Sequence, residues 1–199
     1  MSGGKDLQSK TKDIEFMSSE RLVDYKEIYK GRILSLYKAQ MQWDNQRLVD
    51  REIVHHQPAV AILAVNDQNQ VVLVKQYRPA VDAYLFELPA GIIDYLEDGE
   101  LEAPYLAAKR ELEEETAYQA EAIQQIMSFY PSPGCFDEMV YLFQASTLNR
   151  VDNPLPMDED ESIDLAFFDK EAIQSLMEDG QVIDAKTIIG LQYWLNQKD

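Results

Sequence analysis

Four of the seven residues from Arg110 to Thr116 (Arg-Glu-Leu-Glu-Glu-Glu-Thr) are glutamates. On a helix, residues three and four apart share a face, so Glu111, Glu114 and Glu115 project toward one patch, while Glu113 points off it and is expected to be exposed. Like charges at that spacing repel by roughly 0.2–0.5 kcal/mol per pair in water. Hard divalent cations such as Mg²⁺ bind carboxylate oxygens and would relieve the repulsion. Arg110, at the head of the run, can orient a carboxylate through charge-assisted hydrogen bonds. A solvated acidic helix face would carry a similar run. What favours chemistry is the setting: apolar Leu112 lies among the acids, and the tight turn Leu88-Pro89-Ala90-Gly91 precedes the helix.

These side chains need elements to hold them. Alternating residues from Leu22 to Val54, broken by Asp44-Asn45, predict a small N-terminal sheet over 15–55. Ala59 to Val65 is apolar throughout, as a strand buried on both faces would be, with Val71 to Gln76 as its hairpin partner. A strand ending at Phe86-Glu87 leads through the turn into an acidic loop. The helix itself is predicted over 103–116, with Pro104 in its first turn. Strands are expected at 123–130, 139–145 and 163–168, and two helices at 170–178 and 185–196. Residues 1–14 read as a flexible lead-in, 15–55 as a β-domain and 56–199 as the main domain.

Composition bounds the function. Of 199 residues, 18 are Lys or Arg and 36 are Asp or Glu, a formal net charge of −18. Such a surface repels phosphate backbones and anionic lipid, so neither nucleic acid nor membrane is an expected partner. The longest clearly apolar run, Ala59 to Val65, is far short of the roughly 20 residues of a membrane span. The single cysteine, Cys135, rules out an intramolecular disulfide framework, fits a cytoplasmic setting and is expected to be buried filler. His55 and His56 have no cysteine or further histidine beside them, so zinc is not expected there.

Glu102, seven residues, then Arg110-Glu111-Leu112-Glu113-Glu114-Glu115-Thr116-Ala117-Tyr118 resembles the signature of the Nudix hydrolases. There are two departures: ten residues rather than five separate Gly91 from Glu102, and Ala117 replaces the second signature glycine. The longer loop should bulge without changing the helix register. Ala117 carries a cost if its position needs positive φ. Gln76-Tyr77-Arg78, Glu87-Leu88-Pro89-Ala90-Gly91, Pro133 and Asp158-Glu159-Asp160-Glu161 are similar to the ADP-ribose pyrophosphatase branch.

The resemblance implies an α/β (α+β) fold: an α/β/α sandwich with a mixed central sheet and a small N-terminal β-domain that dimerises. It implies Mg²⁺, with Mn²⁺ as a substitute, and metal-assisted attack of water on the diphosphate of ADP-ribose or a related nucleotide sugar. Glu111 and Glu115 would be the principal metal ligands, Glu114 a further one, and Ala90 would add its carbonyl oxygen. Glu161 would be the water-activating base, with Glu159 as runner-up, and Arg110 an orienting partner. Arg51 and Arg78 would hold phosphate, for which a guanidinium is well shaped. Glu87 would bind metal or ribose, or pair with an arginine. Trp43 and Phe16 would stack on the base. The alternatives are a GDP-sugar or other nucleoside diphosphate hydrolase, and a non-catalytic ligand sensor of the same fold.

Overall fold

The computed structural model describes residues 14–157 and 163–197. The chain divides into two compact units. One takes in the chain up to Pro58 with Asp94–Leu101 and Tyr130–Met139; the other takes in Ala59–Ile93, Glu102–Phe129 and the chain from Val140 onward.

In the first unit β1 (Leu22–Lys30), β2 (Leu34–Gln42) and β3 (Leu48–His56) form an antiparallel sheet in that order. One face has a small core: Tyr37 and Ala39 are buried, and the rings of Phe16 and Tyr25 pack on Tyr37 at 5.4 and 6.2 Å. Ile14, assigned to the lead-in from sequence, is buried. The rest of that lead-in lies outside the described residues. The end of β3 is joined to the 130–139 segment, where Val54 N–H donates to the Cys135 carbonyl at 2.7 Å. Cys135 is exposed, contrary to the expectation of buried filler, because this loop uses its backbone for pairing and turns its side chain outward. In the acidic insertion, Leu96 and Glu100 close a small turn with N–H to O at 2.8 Å.

The second unit is built on a mixed sheet. Its order is β10 (Ile163–Phe168), β5 (Val71–Arg78), β4 (Ala59–Val65), β9 (Val140–Arg150) and β8 (Tyr118–Phe129). The short strands β6 (Ala83–Glu87) and β7 (Ala90–Ile92) pair with β5 and β4. The β4–β9 pair is parallel, and the other pairs are antiparallel. Side chains alternate across a strand. Ala61 and Leu63 of β4 therefore join a core with Leu73, Leu88, Leu142, Ile173, Leu191 and Trp194, which the helices α2 (Lys170–Glu178) and α3 (Ala185–Leu195) cover. Val60 and Ile62, equally buried, serve the opposite face, where α1 (Pro104–Thr116) contributes fully buried Ala107, Ala108 and Leu112. Helices thus cover both faces of the sheet.

Local chemistry fixes the helix ends. Pro104 opens α1, where its missing N–H costs nothing. Asp169 caps α2 by accepting from Ala172 N–H at 2.8 Å, and Asp184 caps α3 by accepting from Thr187 N–H at 3.0 Å. α1 ends at Ala117, which is left-handed at φ 58 and ψ 27. Its N–H donates to the Glu113 carbonyl at 2.8 Å, and its own carbonyl accepts from Val151 N–H at 2.9 Å. β8 starts immediately after this turn, five residues earlier than its polar sequence suggests.

Candidate active site

The stripe of α1 that faces the sheet holds Ala107, Ala108, Glu111, Leu112, Glu115 and Thr116. Two carboxylates therefore stand one helical turn apart where amphipathic spacing calls for apolar side chains. Glu111 is 8 % exposed and Glu115 is 6 % exposed. Burying ionised carboxylates is costly unless each is hydrogen-bonded or paired with a cation. Glu115 Oε2 accepts from Ala90 N–H at 3.0 Å. Glu111 lies against Gly91 so closely that a Cβ there would stand 2.1 Å from the carboxyl carbon. Glycine at 91 is what makes room for the acid.

Arg110 organises the rest of the cluster. Its Nη1 donates to Glu111 Oε1 at 2.7 Å and to Glu114 Oε2 at 2.9 Å. Its Nη2 donates to Glu102 Oε2 at 3.1 Å and to the Ile92 carbonyl at 3.2 Å. Partial burial alone would lower the Arg110 pKa, but the charges of Glu111 and Glu102 and their hydrogen bonds hold it above its ordinary value.

Among the described residues no three His, Cys, Asp or Glu side chains are grouped as a full ligand cage. The two buried carboxylates nevertheless fit Mg²⁺, which is commonly held by one or two carboxylates together with substrate phosphate oxygens.

The other predicted residues fall into separate groups. In the second unit, Arg78 and Glu87 form a two-bond pair, Nε to Oε1 at 2.6 Å and Nη2 to Oε2 at 2.8 Å. Of the roles left open for Glu87, the structure displays the arginine pair. Burial pushes the Glu87 pKa up, but Arg78 and Lys186 outweigh it and hold the carboxyl below its ordinary value. In the first unit, Arg51 and Trp43 stand together, the guanidinium carbon 5.2 Å from the indole centroid, with Arg21 at 5.7 Å from the same ring. Phe16 does not join them, since its ring packs on Tyr25 and Tyr37. Glu159 and Glu161 lie outside the described residues.

Two features escaped sequence reasoning. Glu113 is not merely exposed: it accepts from Gln119 Nε2 at 2.7 Å and from Leu155 N–H at 3.2 Å, tying the chain after β9 to α1. Lys186 donates to the buried Glu87. Its one sequence signal is that it is the sole charged residue of α3. A cavity of about 360 Å³ beside α1 is lined by Glu102, Leu106, Arg110, Glu113 and Leu155 among others; neither Glu111 nor Glu115 lines it.

A mixed sheet between helices, with a glycine turn pressed against paired glutamates on the helix that follows, defines a class. The chain belongs to the NUDIX domain family, whose model matches residues 55–189, and it is a Nudix hydrolase. It is 38 % identical over 174 residues to an ADP-ribose pyrophosphatase of Bacillus subtilis (strain 168), covering 87 % of this chain and 91 % of that one. It is 35 % identical, with the same coverage, to a methanol dehydrogenase activator of Bacillus methanolicus. Among solved structures, a crystal structure of an ADP compounds hydrolase shares the fold, with a TM-score of 0.71 at 22 % identity, covering 87 % of this chain and 92 % of that one.

Proposed function

We propose that this enzyme hydrolyses the diphosphate of ADP-ribose, or of a related nucleoside diphosphate sugar. The observation that carries the reading is the pair of buried carboxylates, Glu111 and Glu115, set one turn apart against Ala90 and Gly91. Water adds to one phosphorus and the bridging P–O bond breaks, so ADP-ribose yields AMP and ribose 5-phosphate. Magnesium, or manganese in its place, supplies cationic charge to the phosphate oxygens and lowers the pKa of water. Glu111 and Glu115 would hold it, with Glu114 and the Ala90 carbonyl as further donors.

This chain's other residues bind and orient. Arg110 fixes the Glu111 and Glu114 carboxylates. Arg78 offers a guanidinium to the diphosphate. Glu161, with Glu159 as the second choice, takes the proton from the attacking water. Arg51 and Trp43 are assigned to phosphate and base, without Phe16, whose ring packs on Tyr25 and Tyr37. A homodimer is part of the reading, supported by the apolar side chains that the three-stranded sheet exposes: Val23 at 52 %, Ile28 at 53 %, Tyr29 at 57 % and Leu48 at 50 %. No helix among the described residues is long and apolar enough to cross a membrane. A cytoplasmic setting, with neither nucleic acid nor membrane as partner, completes the proposal.

The test is a substrate panel of ADP-ribose, GDP-mannose, NADH and a diadenosine polyphosphate, each with Mg²⁺ and with EDTA. ADP-ribose turnover that disappears on chelation is expected. Glu115→Gln should lower kcat by about 10²–10³-fold while thermal stability is retained. Binding without turnover would make the chain a nucleotide-sugar sensor, and full activity in E115Q would move the metal elsewhere.

A further inference from the structure

The first turn of α3 takes no part in the chemistry above, yet it holds a constellation of charges. Glu87 is 1 % exposed. One side of its carboxylate takes the Arg78 pair, and Lys186 Nζ donates to the same carboxylate. Lys186 also meets Asp184 Oδ1 at 3.1 Å. The turn holds a second link: Thr187 Oγ1 donates to Asp184 Oδ2 at 2.6 Å and accepts from Leu88 N–H at 2.8 Å. Behind it, Gly190 has no Cβ, and one placed there would stand 2.6 Å from Leu88 Cδ1. The Glu87–Leu88 corner is therefore held by α3 through an ion pair, a hydrogen bond and a close packing contact.

The electrostatic consequence concerns Arg78. A guanidinium paired with one carboxylate is a neutral unit, a poor receptor for an anion. The pairing uses two of its five N–H donors. Lys186 brings a second positive charge to the same carboxylate, so Arg78, Glu87 and Lys186 together carry +1. Asp184, in contact with Lys186, brings the formal sum of the four side chains to zero, with Lys186 rather than Arg78 as its ion-pair partner.

We propose that Lys186 is a positioning residue for substrate: by sharing the Glu87 carboxylate it competes with Arg78 for that charge, so that Arg78 is not fully neutralised and can meet a diphosphate. This rests on the assignment of Arg78 to the substrate diphosphate.

The experiment measures KM and kcat for ADP-ribose with Mg²⁺, and Kd for ADP by calorimetry, in the wild type and in R78Q, K186Q, K186R, D184N and the double variant R78Q/K186Q. K186Q should raise both KM and the ADP Kd by about five- to tenfold with kcat within about twofold, and K186R should restore them. In the R78Q background the added K186Q change should have no further effect, which a purely structural role would not produce. D184N keeps a capping side chain, removes the opposing charge and should shift both constants the other way; it carries the test if K186Q does not fold. Wild-type constants in K186Q beside weakened binding in R78Q would overturn the inference alone, as would an undiminished K186Q effect in the double variant. Unchanged binding in R78Q would overturn the Arg78 assignment and the inference with it. If the wild type turned over no ADP-ribose, the ADP titrations would decide.

Discussion

Ala117 occupies a backbone region that glycine enters freely and that costs an L-residue about 1–2 kcal/mol. Its φ of 58 closes α1 and turns the chain into β8. A117G should therefore raise the urea midpoint, by about 0.5–1 kcal/mol in stability once glycine's greater unfolded freedom is counted. An equal or lower midpoint would mean the turn has relaxed around the methyl group. At this scale the sequence was informative where chemistry is local. The spacing of Glu111 and Glu115 placed both on one face, and the structure shows both buried. Partners distant along the chain were not readable: Lys186 meets Glu87 across 99 residues, and no short-range pattern announces such a pair. The bonds of Glu113 to Gln119 and Leu155 were missed similarly, because helical geometry says where a side chain points but not what later chain arrives there.

At the scale of elements, the end of β3 is held to the 130–139 segment by two histidine–carboxylate contacts. His55 Nδ1 lies 2.8 Å from Asp137 Oδ2, and His56 Nδ1 lies 3.2 Å from Glu138 Oε1. Burial pushes the His56 pKa down, but hydrogen bonds to Glu138 and the Gln57 carbonyl, with the charges of Glu138 and Asp137, raise it above its ordinary value. A pKa raised on folding contributes stability that is fully present below the unfolded value of about 6.5 and is lost as pH rises through the folded value. The first unit should thus lose stability as pH rises above about 6.5, the ordinary histidine value. H56Q should flatten that slope in denaturant midpoints; an unchanged slope would assign it to other groups. The elements most legible in sequence were those buried on both faces, such as β4, and the capped helices. β8 stands last in the sheet order, and Gln119, Glu121, Gln124 and Gln125 are exposed or nearly so along it, which hides a strand's apolar signal.

For the molecule as a whole, the expected assembly is a pair of identical chains. Two 22.9 kDa chains should sediment together, and I28E, placing a charge on an exposed apolar position of β1, should shift the species toward one chain. A wild type that sediments as a single chain would remove the dimer from the reading. The chain carries a net charge of −18, and around α1 Glu102, Glu111 and Glu114 accept from Arg110, with Glu115 on the same helix stripe as Glu111. Two of these carboxylates, Glu111 and Glu115, are buried. A cation that settles there binds the folded chain and not the unfolded one, which links occupancy to melting. Millimolar magnesium should then lift the thermal midpoint by several degrees in the absence of any nucleotide, and E115Q should blunt the rise. The enzyme's own melting curve would serve as a gauge of metal affinity, separable from turnover.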